Sequence, residues 1–281
     1  AAALSTELPG RAGAILPEAW SAPSAMAQCV MPVGFIAPYT SLPVLLPARL
    51  DTFESLLLQI TLADVLALAF FVAAWFGYTR YADREMGAAR GIRALMHQAR
   101  LEWGRQMVVR EQRVLDAALT GHLMNSVSFY ANTTIYIVAA LIATAGAIDS
   151  LVQFAAELPF AGRQSKLLVE AKIFLLIAVF VFAYFKFTWA HRQYTLLLVL
   201  IGATPDRSRP PDEIEGYAQR CARLNTLAAD EFNRGIRSYY FGFAALGWFL
   251  HVLVFMALTM LILAVLWRRD FRSKTARALA A

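Results

Sequence analysis

Charged residues are scarce in this chain. Only 16% of its 281 residues are Asp, Glu, Lys or Arg, and 59% are hydrophobic, whereas a soluble domain carries roughly a quarter charged residues. Several windows of about twenty residues are almost free of charge, which is the length that an α-helix needs to cross a hydrocarbon core ~30 Å thick. This shortage of charge excludes an ordinary soluble domain and predicts an all-α integral membrane protein.

Cysteine is also scarce, and the familiar catalytic motifs are missing. Cys29 and Cys221 are the two cysteines, and they fall in segments that we predict to lie on opposite sides of the membrane. That separation excludes an intramolecular disulfide, and two thiols alone do not make a metal site. The sequence contains no HExxH, GxSxG or phosphate-binding glycine loop. We therefore predict no metal and no cofactor, assign no catalytic residue, and keep an intramembrane enzyme as an alternative.

Lysine is rare as well, since only four of the 26 basic residues are lysine. A strong arginine bias is typical of a GC-rich genome and indicates a bacterial source. The net charge of +6 would suggest nucleic acid as a partner of a soluble protein. In a membrane protein, the excess of basic residues in cytoplasmic loops explains it better. We expect the lipid bilayer, and not nucleic acid, as the partner, and the bacterial inner membrane as the location.

Four apolar segments predict four transmembrane helices: 62–79, 126–147, a third that begins near 167, and 239–267. Eight basic residues lie between the first two segments and seven between the last two, but only two lie in the central connection. Loops 80–125 and 191–238 are therefore predicted to be cytoplasmic. Four crossings place both termini outside, which puts the basic tail "RRDFRSKTARALAA" on the unfavoured side.

The two long loops carry apolar residues at helical spacing, so we predict long amphipathic cytoplasmic helical extensions. We predict that residues 84–119 form a helix with an arginine-rich face. That face is either solvated, or it contacts anionic lipid headgroups or an acidic partner.

The ends of the chain differ in composition from the predicted membrane domain, 55–273. Seven of the eleven prolines fall in the first fifty residues, so residues 1–54 are predicted to be a disordered Pro-rich arm. The arm is also consistent with upstream translation before a start at Met26 or Met31. Residues 274–281 are predicted to be a frayed tail.

Five polar side chains fall at predicted membrane depth and form a candidate intramembrane polar site: Asp64, Asn132, Lys172, Lys186 and His251. An ionisable group at this depth is a functional candidate by default. Asp64 also suits the first turn of a helix, where an acid is favoured by the helix dipole.

The two lysines are separated by thirteen apolar residues, which cover only ~20 Å along a helix. At least one lysine must therefore lie within the hydrocarbon or reach out of it along its aliphatic stem. One interpretation is that Lys172 and Lys186 are anchors that reach opposite interfaces. The other is that they line an anion path, or pair with acids such as Asp64, Asp149 or Glu157.

His251 lies near the middle of the last predicted span. It shares a helix face with the small residues Ala244 and Gly247, and small residues allow a neighbouring helix to approach. We therefore expect His251 to face the bundle and to have a hydrogen-bond partner there.

Several stretches together resemble the uncharacterised membrane family named domain of unknown function five-nine-nine. They include "SVSFYANTTIYIVAALIATAGA", "KIFLLIAVFVFAYFKFTWAHRQ" and "EFNRGIRSYYFGFAALGWFLHVLVF". The resemblance covers about residues 63–273 and implies an integral membrane protein. It implies no reaction, ligand or catalytic residue.

The function that these patterns favour is that of a non-enzymatic transporter or channel component, or of an accessory subunit of a membrane assembly, as a homo- or hetero-oligomer. The alternatives are an intramembrane enzyme and a membrane-surface sensor or scaffold that uses the basic amphipathic helices. A water-accessible cavity that joins the polar residues would favour transport, whereas a packed bundle would favour an accessory role.

Overall fold

The computed structural model describes residues 61–85, 92–150, 153, 165–271 and 278. Six long helices and a short 3-10 turn make up most of this part of the chain: α1 Leu62–Glu85, α2 Ile92–Val109, α3 Val114–Gly146, α4 Lys166–Gly202, α5 Pro211–Leu246, the turn Gly247–Phe249, and α6 Val252–Phe271. The described residues contain no β-strand. The predicted arm, 1–54, and the predicted tail except Ala278 lie outside them.

Four of these helices are long and apolar enough to cross a membrane: Leu62–Arg84, Val114–Gly146, Lys166–Gly202 and Val252–Phe271. They confirm the predicted all-α membrane fold for the described residues. α3 and α4 have 33 and 37 residues, whereas about twenty cross the hydrocarbon core. Each therefore has more than ten residues to spare, which extend the bundle beyond the membrane layer as a helical head.

The starts of α4 and α5 follow from local chemistry. The Ser165 side chain accepts a hydrogen bond from the Leu168 N–H at 3.3 Å, which satisfies one of the free donors at the start of α4. α5 begins with Pro211, and Asp212 and Glu213 follow in its first turn. Proline suits the first helical position because it has no N–H to satisfy there, and the acids favour the positive end of the helix dipole.

The last predicted span is not one helix, and the prediction of a continuous helix over 239–267 is wrong. α5 ends at Leu246, the chain turns over Gly247–Phe249, and α6 starts at Val252 and runs back. A Cβ atom on Gly247 would lie 2.6 Å from Leu258 Cδ1, so glycine permits this close return. The hydropathy of the sequence does not reveal the turn, because both limbs and the turn itself are apolar.

α5 runs antiparallel to α4 over most of its length. Lys186 of α4 lies beside Glu231 of α5, and Lys172, earlier in α4, lies beside Trp248, just after α5. The second half of α5 therefore passes alongside the apolar helices, and α6 returns in the opposite direction. The Tyr78 hydroxyl near the end of α1 donates to Asp270 near the end of α6 at 2.9 Å, so those two ends meet.

The hairpin between α5 and α6 changes the side of the membrane on which α6 ends. Since α6 returns alongside α5, its end lies at the same end of the bundle as Glu231 and the turn at 203–210. The mismatch between the tail and the charge rule arose because the sequence pattern did not reveal the hairpin between α5 and α6. With the hairpin, Arg268 and Arg269 in the last turn of α6 lie at the same end of the bundle as the turn at 203–210.

Two glycines allow α4 and α5 to pack closely. A Cβ atom on Gly235 would lie 2.5 Å from Phe187 Cε1, and one on Gly242 would lie 2.9 Å from Phe180 Cζ. The two glycines are seven residues apart on α5, and the two phenylalanines are seven residues apart on α4. The rings of α4 therefore fit the gaps beside the glycines of α5, two helical turns apart.

The helical head consists of α2, the start of α3, the end of α4 and residues 211–230 of α5. Met107, Tyr217 and Cys221 are buried in it. Burial raises the pKa of the Cys221 thiol, which keeps the thiol protonated and poorly reactive. Labelling of Cys221 therefore cannot report which side of the membrane it lies on.

The glycine contact is tested by replacing Gly235 with alanine. We expect Gly235→Ala to lower the free energy of unfolding by about 1–3 kcal/mol, because the buried Phe187 ring has no room to move aside. Gly77→Ala is the matched control, since no atom lies within 4 Å of its Cβ position, and we expect it to be neutral or slightly stabilising. Apparent melting temperatures in detergent measure both, and equal effects would contradict the close contact.

The course of the chain is tested by single cysteines in a chain whose own cysteines are replaced by alanine. We expect Arg207→Cys and Ala278→Cys to be labelled by an impermeant thiol reagent from one side of the membrane, and Asp149→Cys from the other. The reason is that α4 separates positions 149 and 207, whereas α5 and α6 together return the chain to its starting side. Labelling of position 278 from the same side as 149 would contradict the hairpin.

Candidate functional site

Arg237 of α5 is a buried arginine that is only 2% exposed. Its Nη1 donates to Asp83 Oδ1 at 2.8 Å, and its Nε lies 3.6 Å from Asp270 Oδ2. Asp83 belongs to α1 and Asp270 to α6. One guanidinium thus joins three helices, and the two carboxylates neutralise a charge whose unpaired burial would cost several kcal/mol.

The charges continue along α5 at a spacing of three residues. The Arg234 Nε donates to Asp83 Oδ2 at 2.9 Å, and the same guanidinium pairs with Glu231. Glu231 Oε2 lies 2.9 Å from Lys186 Nζ on α4. These residues alternate in charge across α1, α4, α5 and α6, and Tyr78 adds a hydrogen bond to Asp270. We name them the Arg237 cluster: Tyr78, Asp83, Lys186, Glu231, Arg234, Arg237 and Asp270.

Lys186 therefore has an acidic partner inside the chain. The partner is Glu231, which is not among the acids named from the sequence. The sequence interpretation missed it because it assigned Glu231 to a cytoplasmic loop, whereas α5 carries it alongside α4. The Lys186 Nζ also lies 5.3 Å from the centre of the Phe182 ring, which adds a cation–π contact.

A second cluster lies at the other end of the bundle and is built around Trp248. The Trp248 Nε1 donates to Asp64 Oδ1 at 2.9 Å, and the Lys172 Nζ donates to the Trp248 carbonyl oxygen at 2.7 Å. The Thr61 hydroxyl donates to Asp64 Oδ2 at 2.5 Å. We name these four residues the Asp64 cluster. It brings together Asp64 and Lys172, two of the five predicted site residues, in the first turn of α1 and the second turn of α4.

The other predicted residues do not join either cluster, apart from Lys186. Asn132 is exposed on α3, and His251 is exposed in the turn between α5 and α6. The His251 Nδ1 accepts a hydrogen bond from the Leu253 N–H at 3.1 Å. The expectation that His251 faces the bundle is wrong, because the hairpin places it at a helix end and not in the middle of a span.

Aromatic rings fill the interior between the two clusters. The Phe71 ring centre lies 5.7 Å from that of Phe241 and 5.1 Å from that of Phe255. The Trp248 ring stacks on Phe255 at 5.1 Å, and Trp75 meets Phe182 edge-on at 5.2 Å. Phe71, Phe241 and Phe255 have no exposed surface, so the contact region of α1, α5 and α6 is closely packed.

Three arginines of α2, and Arg110 just after its end, bond to other residues of the chain. The pairs are Arg93 with Asp230, Arg100 with Asn225, Arg105 with Glu215, and Arg110 with Asp116. Hydrogen bonds from Arg105 and Gln219 lower the pKa of the Glu215 carboxyl. Arg93, Arg105 and Arg110 therefore have acidic partners within the chain, and these bonds hold α2 on α5 and α3.

Two clefts flank residues 223–227 of α5 in the helical head. The polar cleft lies between α2 and α5, has a volume of about 510 Å³, and is lined by Arg93, Ala94, His97, Gln98, Arg223, Thr226 and Leu227. The apolar cleft lies between α4 and α5, has a volume of about 470 Å³, and is lined by Leu196, Val199, Leu200, Arg220, Arg223, Leu224 and Leu227. Arg220 and Arg223 are exposed, and neither forms an ion pair with a described residue.

A model of the family described as "Protein of unknown function, DUF599" matches residues 66–275. The chain belongs to this family. The match begins just after Asp64 and covers all of the Arg237 cluster and both clefts. No curated protein and no solved structure gives a significant match.

The match with DUF599 confirms the family resemblance noted in the sequence, while the two clusters come from the fold. Tyr78, Asp83, Arg237, Trp248 and Asp270 were not predicted as site residues. The one signal in the sequence was the spacing of Glu231, Arg234 and Arg237, which places three charges along one face of a helix. Within the described residues, no group of three or more His, Cys, Asp or Glu side chains is placed to hold a metal ion.

The contribution of the Arg237 cluster to stability is tested by replacing Arg237 with methionine. We expect Arg237→Met to destabilise the bundle by about 3–5 kcal/mol, because it leaves buried carboxylates without their cation. Adding Asp270→Asn removes one of those charges and should restore part of the loss.

The matched control is Arg268→Met, since Arg268 is exposed on α6 and surface changes usually lie within about 0.5 kcal/mol. Thermal unfolding of all four proteins in one detergent measures the effects. If Arg237→Met and Arg268→Met behave alike, the cluster does not stabilise the fold.

Proposed function

We propose that this protein is a non-catalytic accessory subunit of a membrane assembly, whose helical head binds a partner protein. The observation that carries the proposal is the closely packed aromatic interior between the two clusters. A conducting path needs water and polar groups along its length, whereas Phe71, Phe241 and Phe255 occupy the contact region of α1, α5 and α6. This packing favours a structural role over transport.

The surface that suits a partner is the apolar cleft. Leu196, Val199 and Leu227 are 48%, 64% and 47% exposed. Leu196 follows Lys186 by ten residues, so it lies ~15 Å further along α4, beyond the layer between the clusters. Exposed apolar patches outside the hydrocarbon mark protein interaction surfaces.

The partner that fits this cleft is an amphipathic helix with acidic residues along one edge. An apolar helix face can fill the cleft between α4 and α5, as in other helix-in-groove complexes. Arg220 and Arg223 border the cleft without an ion pair to a described residue, so carboxylates on the partner would complement them.

The head is assigned to the cytoplasmic side of a bacterial inner membrane. The support is the concentration of basic residues in 80–125 and 191–238 together with the position of Arg268 and Arg269 at the same end of the bundle. The arginine-rich composition supports a bacterial source.

A photo-crosslinking amino acid at Val199 tests the docking surface in the native membrane. We expect a crosslinked protein from Val199, and none from Tyr136, which is 75% exposed on the apolar helix α3. Charge reversal at Arg220 and Arg223 should reduce the Val199 crosslink several-fold, since like charges then face each other, while Arg207→Glu should leave it unchanged. A crosslink that is indifferent to Arg220 and Arg223 would refute the proposed partner chemistry.

The packed interior is tested by cysteines at Ala67 and Ala244, which are buried between α1, α5 and α6. We expect neither to react with a hydrophilic thiol reagent in intact membranes, because no water reaches them, while Arg207→Cys reacts. Reaction of Ala244→Cys at a rate close to that of Arg207→Cys would show water in the interior and would favour transport instead.

A further inference from the structure

We propose that the polar cleft between α2 and α5 binds the phosphate headgroup of an anionic membrane lipid. The inference does not rest on the accessory-subunit proposal, which concerns the apolar cleft on the other flank of α5, although Arg223 and Leu227 line both clefts. It rests on three features of the cleft: its donors, its charge and its depth relative to the membrane layer.

The donors come from both helices. The His97 Nδ1 lies 2.9 Å from Thr226 Oγ1, so this bond holds the imidazole in place, and no described residue bonds its Nε2. Gln98 of α2 and Arg223 of α5 are exposed at the cleft. A volume of about 510 Å³ exceeds what one phosphate group needs, so it also accommodates the glycerol part of a lipid.

The positive charge of the cleft comes mainly from Arg223. Arg93 also lines it, but its guanidinium makes three hydrogen bonds to Asp230, at 2.5–3.0 Å, and is neutralised there. Arg223 forms no ion pair with a described residue, which leaves its donors for a phosphate. Guanidinium groups suit this ligand because they can donate two parallel hydrogen bonds to phosphate oxygens.

The depth favours a lipid over a soluble phosphate compound. Asp230 is next to Glu231, which bonds to Lys186 of α4, and Arg223 lies eight residues further, or ~12 Å along α5. A ~30 Å hydrocarbon core centred between Lys172 and Lys186, which are ~21 Å apart along α4, extends ~4–5 Å beyond the Lys186–Glu231 pair. Arg223 then lies ~7–8 Å beyond the hydrocarbon, at the outer edge of a headgroup layer that is roughly 5–8 Å thick. Trp189 and Arg192, whose guanidinium lies 5.7 Å over the Trp189 ring, mark the same interface on α4.

Apolar residues complete the cleft. Leu227 is 47% exposed and lies on the same lining as Arg223 and Thr226. A lipid whose phosphate meets Arg223 and His97 can place the first carbons of its chains against Leu227, whereas inorganic phosphate would leave this surface uncovered.

The experiment uses the full chain in mixed micelles of phosphatidylcholine and phosphatidylglycerol, with bound lipid counted by native mass spectrometry. We expect the protein to retain phosphatidylglycerol in preference to phosphatidylcholine. Arg223→Gln should lower the apparent affinity for phosphatidylglycerol about fivefold, since one basic residue near a headgroup contributes about 1 kcal/mol. Arg223→Lys should retain most of the binding, and His97→Gln should also weaken it.

Arg207→Gln is the matched control, since Arg207 is exposed in the turn between α4 and α5 and outside both clefts. An equal loss for Arg207→Gln and Arg223→Gln would overturn the proposal in favour of diffuse surface charge. Displacement of the lipid by millimolar inorganic phosphate or glycerol phosphate would overturn it in favour of a soluble ligand. The absence of any lipid preference would also overturn it.

Two single variants separate this inference from the docking proposal. His97→Gln changes only the polar cleft and should leave the Val199 crosslink intact. Arg220→Gln changes only the apolar cleft and should leave lipid binding intact. If a His97 variant fails to fold, the contrast between Arg223→Gln, Arg223→Lys and Arg207→Gln still decides the outcome.

Discussion

The buried guanidinium of Arg237 is the constraint on which the rest of the bundle depends. A charge without water around it must be neutralised by nearby opposite charges, and Asp83 and Asp270 supply them from α1 and α6. This requirement brings the end of α1, the middle of α5 and the end of α6 to one point. Because α6 must return to that point, the chain has to turn back after α5, and the turn at Gly247–Phe249 follows.

The two clusters explain why an apolar protein tolerates charges at membrane depth. Lys172 and Lys186 are fourteen residues apart, or ~21 Å along α4, which is less than the ~30 Å of a hydrocarbon core. The two lysines therefore cannot both lie in water, one at each face of the membrane. Each lysine instead has a partner on or just after α5: the Trp248 carbonyl oxygen accepts a hydrogen bond from Lys172, and Glu231 forms an ion pair with Lys186. Between these ends, the packed phenylalanine rings carry no polar group and need no polar partner.

Charges in the helical head differ from those at membrane depth, because water can solvate them. There the bonds of Arg93, Arg100, Arg105 and Arg110 hold α2 in place, so these arginines of the predicted basic face are already bonded within the chain. Arg220 and Arg223 of α5 differ from these arginines, because they are exposed and form no ion pair with a described residue. They border two clefts of different character on opposite flanks of the same helix, which lets one short segment serve both a protein surface and a lipid surface.

The sequence by itself determined that the protein lies in a membrane, that it is all-α, which family it resembles and that it has four apolar helices, because hydropathy depends only on local composition. It placed the last of these helices too early in the chain, at 239–267 instead of Val252–Phe271. It also identified Asp64, Lys172 and Lys186 as charges that need an explanation. Only the tertiary structure decided what they contact, and which of the candidates, such as Asn132 and His251, lie apart from them. The physical reason is that an ion pair such as Arg237 with Asp83 joins residues far apart in the chain, and no local pattern marks the turn that brings them together.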